Sequence, residues 1–341
     1  MIRRGNTPRS APSLVTKPAP ACASPKILGL LVALVGLLAV GGFVFILTSF
    51  PDVAPAPDLA VAGTPEQIER GRYLAENVTV CQACHTPRDY TLFAGPIRRD
   101  LLGAGGERWD QTMGLPGVLY ADNITPAALS EWTDGEILRA FTSGVSRDGT
   151  AIFPLMPYHA YGRMSQEDAE AIVAYLRQIA PIDHEVPERS MDPPLNIVVR
   201  LMPQQAEPQA IPSTSDELAY GEYMTTIAAC SACHAPLADG QPILDMAYAG
   251  GHGYPLPGGG EVRAANITPH EGTGIGSWTR DQFIARFKVM VGARDQVPPG
   301  AYNTVMPWAS YGEMTEQDLG AIFTYLQSLP AIENKVIRFK P

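Results

Sequence analysis

Two five-residue segments each place two thiols and an imidazole close together along the chain. They are residues 81–85 and 230–234, and each reads Cys-x-x-Cys-His. Cysteines three positions apart lie on one side of a helical turn, so both thiols can reach the two vinyl groups of one porphyrin. The histidine that follows then lies under the iron, where a neutral imidazole nitrogen binds the metal. The sequence therefore predicts two covalently attached haem c groups. The predicted attachment residues are Cys81, Cys84, Cys230 and Cys233, and the predicted iron ligands are His85 and His234.

A zinc site is the alternative interpretation of such a segment. Structural zinc needs a second pair of ligands within the same small domain. Neither half of the chain contains a second Cys pair, which argues against zinc. Four of the five cysteines belong to the two motifs, so no disulfide framework is expected, and Cys22 is predicted to be unpaired.

The second axial ligand of each iron is predicted to be a methionine. Each half offers two candidates on the loop before its last predicted helix. Met164 and Met314 directly precede predicted helix caps, where an apolar residue packs against the helix. Met156 and Met306 lie in loops directly before a proline, with no helix face to fill. We therefore predict Met156 and Met306 as ligands, with ordinary core methionines as the alternative.

Histidine is the other candidate for this position. His159 lies close to Met156, but the matching position of the second half is Ala309. The remaining histidines also lack a counterpart in the other half: His184, His252 and His270. Since duplicated domains should share one ligation scheme, the sequence favours methionine in both halves.

The two halves repeat one pattern at offsets between 143 and 150 positions. Around each Cys motif the same segments recur in order: Gly-x-Tyr, then Asn-Ile-Thr-Pro, Trp-Thr, Met-Pro and Tyr-Gly-x-Met. We therefore predict two tandem domains, residues 65–180 and 215–341, joined by a proline-rich linker, residues 181–214. No segment shows the alternation typical of a strand, so the predicted class is all-α with long loops.

Each copy predicts three helices. The first, over residues 65–80 and 215–229, ends on the Cys motif. The second begins at a capping box at Thr133 or Thr279 and stops near a glycine. The predicted stops are Gly144 and Gly292. The third carries an amphipathic stripe and is capped by Ser165 or Thr315.

The N-terminal region predicts a single membrane anchor. Residues 1–26 carry five basic and no acidic side chains, and residues 27–50 carry no charge over 24 positions. That length spans a bilayer, although a cleaved secretory signal is the alternative. The basic flank predicts a cytoplasmic segment 1–26. A spacer, residues 51–64, would then lead to haem domains on the periplasmic side of the cytoplasmic membrane.

The part of the chain after this segment is acidic. Setting aside the five N-terminal basic residues leaves 20 Lys and Arg against 35 Asp and Glu. This balance argues against nucleic-acid binding. It fits docking onto a basic patch of a redox protein, and equally a solvated acidic surface without such a role.

In these features the chain resembles the cytochrome c subunits of bacterial membrane-bound dehydrogenases, such as those acting on gluconate and alcohols. The resemblance covers about residues 65–180 and 215–330. It is carried by the Cys motifs, Asn-Ile-Thr-Pro, Gly-Ile-Gly-Ser-Trp-Thr at 274–279, and Met-Pro followed by Tyr-Gly-x-Met. It implies class I-type cytochrome c domains that relay electrons from a periplasmic dehydrogenase to the respiratory chain, without a substrate of their own. Those subunits often carry three haems and a C-terminal membrane helix, whereas this chain has two motifs and an N-terminal apolar segment.

Two other functions fit the same features. The dihaem subunit of a cytochrome oxidase shares the layout of an anchor and two haem domains and differs in its partner. A dihaem enzyme, such as a peroxidase, needs an iron that loses its distal ligand. Two six-coordinate irons favour the electron relay over the enzyme.

Overall fold

The structure is a computed structural model that describes residues 25–238 and 240–341. The predicted unpaired Cys22 and most of the predicted cytoplasmic segment lie outside these residues. The chain divides into two compact units that meet between Thr48 and Ser49. Helix α1 (Pro25–Ser49), which belongs to the first unit except for its last residue, has no buried residue and is long and apolar enough to cross a membrane. A signal sequence has the same properties, so the anchor stays a prediction.

Most of the regular secondary structure in the second unit is helical. Its helices are α2 (Pro65–Tyr73), α3 (Cys81–His85), α4 (Pro126–Leu129), α5 (Asp134–Ser143), α6 (Tyr158–Tyr161), α7 (Gln166–Leu176), α8 (Leu195–Val198), α9 (Glu217–Ile227), α10 (Cys230–His234), α11 (Arg280–Lys288), α12 (Trp308–Gly312) and α13 (Glu316–Ser328). A π-helical turn, Leu74–Val78, continues α2. Short 3-10 turns occur at Arg99–Leu101, Gln111–Met113, Val199–Leu201 and Leu244–Met246.

The second unit also contains short strands, so the all-α prediction is incomplete. They are β1 (Arg108–Trp109), β2 (Gly117–Tyr120), β3 (Ser190–Met191), β4 (Leu237–Ala238), β5 (Gln241–Pro242), β6 (Gly253–Pro255), β7 (Glu261–Arg263) and β8 (Phe339–Lys340). They form antiparallel sheets in the orders β1-β2-β3, β4-β5 and β6-β7-β8. Strands of two to four residues are too short to show an alternating pattern in the sequence.

In each copy the first and last long helices cross at a glycine. Helix α2 packs against α7, and α9 packs against α13. A Cβ atom on Gly71 would lie 1.8 Å from the carbonyl oxygen of Ala171, and one on Gly221 would lie 2.0 Å from that of Ala321. The glycine of the repeated Gly-x-Tyr segment therefore allows the close approach of these two helices.

The predicted helix starts are confirmed, and one predicted stop is wrong. Capping boxes form at Thr133 and Thr279, while Ser165 and Thr315 cap the last helices. Gly144 ends α5 in the left-handed conformation, as predicted. In contrast, α11 ends at Lys288, before the predicted stop near residue 292, because the next backbone hydrogen bonds are of the tighter 3-10 type.

The two copies pack against each other within the second unit. One cluster of buried apolar residues includes side chains of both copies. The Tyr223 hydroxyl donates to the carboxylate of Asp168 in the first copy at 2.6 Å. Reciprocally, Tyr73 of the first copy donates to Asp318 of the second. Matching residues of the two copies thus make reciprocal contacts, as in an approximate two-fold arrangement. The division of this unit into two domains stays a prediction.

Candidate haem sites

Each Cys motif forms its own short helix, separate from the helix before it. The helical segments that precede the motifs end at Val78 and Ile227, two residues before the predicted ends at residues 80 and 229. The break falls on Val80 in one copy and Ala229 in the other, both left-handed with φ angles of 47° and 52°. Non-glycine residues in this conformation cost about 1–3 kcal/mol and concentrate at functional sites. The same strained turn therefore orients both attachment helices, α3 and α10.

The motif histidines are held in the same way in both copies. The His85 ring nitrogen Nδ1 lies 2.7 Å from the carbonyl oxygen of Asp122, and that of His234 lies 2.8 Å from the carbonyl oxygen of Ala265. A carbonyl partner assigns the proton to Nδ1 and leaves the Nε2 lone pair for a metal. Burial also lowers the pKa of His234 to about 4, which keeps its imidazole neutral. Both histidines therefore fit an axial haem ligand.

The Asn-Ile-Thr-Pro segments hold these two carbonyl groups in place. The Asn123 side chain accepts hydrogen bonds from the backbone and hydroxyl of Thr125, at 2.9 and 2.8 Å, and donates to the carbonyl oxygen of Ile182 at 2.8 Å. In the second copy, Asn266 makes the matching bonds to Thr268 and Ile332. Asn123 directly follows Asp122, whose carbonyl accepts from His85. The segment thus ties the histidine partner to the chain beyond the last helix of the copy.

A glycine pair after each motif completes this arrangement, and sequence reasoning missed it. The Gly105 N–H donates to the His85 carbonyl at 2.8 Å, and the Gly250 N–H donates to that of His234 at 2.7 Å. Both glycines have a φ of +73°, and a Cβ atom on either would lie within 2.6 Å of neighbouring backbone. The signal that could have found them is the repeated Ala-Gly-Gly at residues 104–106 and 249–251.

None of the four motif cysteines takes part in a disulfide bond. The side chains of Cys84 and Cys233 are accessible to solvent. Even so, surrounding protein atoms raise the pKa of the Cys84 thiol to about 12, with Arg88 opposing this shift. They also raise the pKa of Cys233. Thiols that are accessible to solvent and yet surrounded by protein atoms are compatible with attachment to a large apolar group. Among the described residues, no group of three or more His, Cys, Asp or Glu side chains is arranged to hold a metal ion.

The four candidate methionines differ in burial. Met164 and Met314 are each 1 % exposed and belong to the shared apolar cluster, directly before the caps of α7 and α13. Met156 and Met306 are partly buried, each in the loop before a short helix. This difference supports the choice of Met156 and Met306 as second ligands, which stays a prediction.

The other histidines lie in dissimilar surroundings. His159 contacts the ring of Tyr158, with a centroid separation of 4.3 Å. The other three make local contacts: His184 Nδ1 with the Ala104 carbonyl, His252 with the Tyr254 hydroxyl, and His270 with Thr273. These contacts do not repeat between the copies, unlike those of the motif histidines.

The two candidate sites lie near each other. Cys233 of the second motif is close enough to Cys84 of the first to contribute electrostatically to the raised pKa of Cys84. Two repeated tyrosines are within electrostatic range of cysteines of both motifs. The Tyr161 hydroxyl donates to the carbonyl of Thr79 at 2.7 Å, and the Tyr311 hydroxyl donates to that of Ala228 at 3.1 Å. The packing of the copies thus brings the two attachment helices to a common region.

Comparison with known proteins identifies several cytochrome subunits of dehydrogenases as relatives, although no family model matches the chain. The chain is 30 % identical over 292 residues to the fructose dehydrogenase cytochrome subunit of Gluconobacter japonicus, covering 81 % of this chain and 55 % of the relative. It is 28 % identical over 293 residues to the cytochrome c subunit of a quinone-dependent alcohol dehydrogenase of Gluconacetobacter polyoxogenes, covering 80 % and 59 %. It is also 28 % identical over 283 residues to the gluconate 2-dehydrogenase cytochrome c subunit of Pantoea cypripedii, covering 77 % and 60 %. The chain spans somewhat more than half the length of these relatives.

Proposed function

We propose that this chain, a homologue of the cytochrome c subunits of alcohol, fructose and gluconate dehydrogenases, is a membrane-anchored dihaem cytochrome that relays electrons from a periplasmic dehydrogenase to the respiratory chain. Haem c bound at each site would supply one-electron oxidation and reduction of its iron. The observation that carries the proposal is the repeated histidine arrangement, in which a backbone carbonyl orients His85 and His234 beside paired thiols.

The proposed ligands leave no iron position for a substrate. His85 and Met156 would hold one iron, and His234 and Met306 the other. Thioether ligands favour Fe(II) and raise the reduction potential. With both axial positions filled by protein, the sites suit electron transfer rather than catalysis, so we propose that the chain is not itself an enzyme. The proximity of Cys84 and Cys233 supports transfer between the two sites.

The proposed location follows from α1. Its 25 residues would anchor the chain in the cytoplasmic membrane by a single span, with the haem sites on the periplasmic side. In this orientation the partners are redox proteins: a dehydrogenase as electron donor, and an oxidase or another cytochrome as acceptor.

Haem attachment can be tested by removing one thiol pair at a time. We expect the full chain, produced with a haem attachment system, to carry two haem c groups in a pyridine haemochrome assay. The double variants Cys81→Ala/Cys84→Ala and Cys230→Ala/Cys233→Ala should each keep one, because each pair serves its own site. A wild-type protein that contains zinc and no haem would contradict the haem assignment.

The relay can be tested with native membranes. The chain should co-purify with a dehydrogenase, and its haem should become reduced when the substrate of that dehydrogenase is added. The resting ferric protein should be low-spin and should not bind cyanide or peroxide. A high-spin fraction that binds either would support a dihaem enzyme instead.

A further inference from the structure

The hairpin after the first attachment helix is longer than its counterpart. In the first copy the Arg98 N–H donates to the carbonyl of Pro87, eleven positions earlier; in the second the Ile243 N–H donates to that of Pro236, seven positions earlier. The first hairpin, residues 87–98, therefore contains four additional residues. Arg88 takes the position that Leu237 has in the shorter hairpin.

The loop before the second predicted methionine ligand is also longer. Met306 lies 28 positions after Trp278, whereas Met156 lies 24 positions after Trp132. The longer loop includes residues 295–305. The two copies thus differ in length at two places, one after the first Cys motif and one before Met306.

These two longer segments pair with each other. The Phe93 N–H donates to the carbonyl of Asp295 at 2.8 Å, and the Val297 N–H donates to that of Thr91 at 2.8 Å. The side chain of Asn303, 6 % exposed, accepts from the Ala94 N–H at 2.8 Å. It also donates to the carbonyl groups of residues 90 and 92. The longer hairpin of the first copy and the longer loop of the second copy therefore stabilise each other.

Arg88 extends this pairing to the residue before Met306. Its guanidinium donates to the carbonyl of Val305 at 2.9 Å, and to those of Gly95 and Ala94 at 2.7 and 2.5 Å. It also lies over the ring of Tyr90, 4.9 Å from the centroid. The planar fork of donors fixes these carbonyls relative to one another, which a single point charge does not. Leu237, at the matching position of the second copy, has no hydrogen-bond donor in its side chain.

The loop that carries Met156 is held within its own copy. Residues Val145 and Ala151 form an isolated β-bridge, and the Ile152 N–H donates to the Gly144 carbonyl at 2.8 Å. The two predicted methionine ligands thus have different supports. The Met156 loop is bridged within its own copy. The Met306 loop has a local bond, from the Met306 N–H to the Thr304 hydroxyl, and in addition pairs with the hairpin after the first Cys motif.

We propose that Arg88 is a positioning residue for the second haem site, which holds the Met306 loop from the first copy. Methionine ligation at the second site then depends on the first copy, whereas ligation at the first site does not depend on Arg88. The inference rests on the proposed function, since it takes Met306 as a ligand.

The test measures the near-infrared sulfur-to-iron band of the oxidised full chain in Arg88→Leu. We expect this variant to keep two haems and to lose the part of the band that comes from the second haem. The double variant Arg88→Leu/Met156→Ala should have no band. The double variant Arg88→Leu/Met306→Ala should have the same band as Met306→Ala alone, because both substitutions act on the same ligand. Arg88→Lys should restore part of the band. Arg98→Leu, an exposed arginine of the same hairpin, is the matched control and should match wild type.

The outcomes separate this inference from the proposed function. If Met306→Ala alone leaves the band and the redox titration unchanged, the ligand assignment is wrong, and this proposal with it. If Met306→Ala removes one contribution but Arg88→Leu removes none, only the positioning role of Arg88 is wrong. If Arg88→Leu does not retain two haems, Arg88→Gln is used in its place. We then expect the band of Arg88→Gln to be weaker than that of Arg88→Lys. Equal bands in the Gln, Lys and wild-type proteins would overturn the proposal.

Discussion

At the scale of single residues, the backbone is as important to the candidate sites as the side chains that the motif names. The motif itself predicts thiols and an imidazole. The orientation of His85, however, comes from the carbonyl of Asp122, and no sequence pattern reveals which carbonyl lies within reach. Asn123 and Thr125 bond to each other and to the chain after the last helix. These two side chains therefore have a structural role in the turn.

Replacing Asn123 by alanine should weaken this orientation. The substitution leaves the buried Thr125 amide without its acceptor, and it leaves the Ile182 carbonyl with only the longer bond from the Thr125 hydroxyl, at 3.3 Å. An unsatisfied buried amide costs about 1–3 kcal/mol of folding free energy. Denaturant unfolding of the haem-containing protein measures this loss. Asn196→Ala, at an exposed asparagine, is the control and should stay near wild-type stability. Equal stability of the two variants would show that the Asn123 bonds contribute little.

At the scale of secondary structure, the sequence predicts those features that depend on neighbouring residues in the chain. Helix caps depend on a few adjacent residues, and the capping boxes at Thr133 and Thr279 form as expected. The breaks at Val80 and Ala229 were not predictable, because neither residue prefers the left-handed conformation and only the surrounding fold imposes it. The hairpin of residues 87–98 pairs with a segment about 200 positions away, which no local pattern encodes.

The helix crossing at Gly71 gives a prediction at this scale. Gly71→Ala would place a methyl group 1.8 Å from the carbonyl oxygen of Ala171, so α2 and α7 must separate. We expect a loss of about 1–3 kcal/mol in the free energy of unfolding, typical of overpacking. Gly258→Ala is a suitable control, since no atom lies within 4 Å of its added carbon. A neutral Gly71→Ala variant would mean that the crossing tolerates a wider separation.

At the scale of the whole second unit, the two copies share polar contacts as well as an apolar core. Each tyrosine of the Gly-x-Tyr segments donates to the aspartate in the first turn of the last helix of the other copy. The same hydroxyls accept from the backbone N–H groups of Ser165 and Thr315, at 3.2 and 3.1 Å. The duplicated sequence predicts two similar copies; it does not predict that they support each other in this reciprocal way.

This reciprocity predicts that the copies unfold together. Tyr73→Phe removes the donor from Asp318, and Tyr223→Phe removes it from Asp168, so each variant leaves a buried carboxylate with one hydrogen bond fewer. We expect each to lose about 1–3 kcal/mol in the free energy of unfolding. Tyr302→Phe, at an exposed tyrosine, should not. The deciding measurement is denaturant unfolding followed at two probes, one in each copy. If the copies form one cooperative unit, either substitution shifts both probes equally, because both report the same transition. If only the probe in one copy moves, the copies are independent domains, and their contact is too weak to keep the two haem sites at a fixed separation.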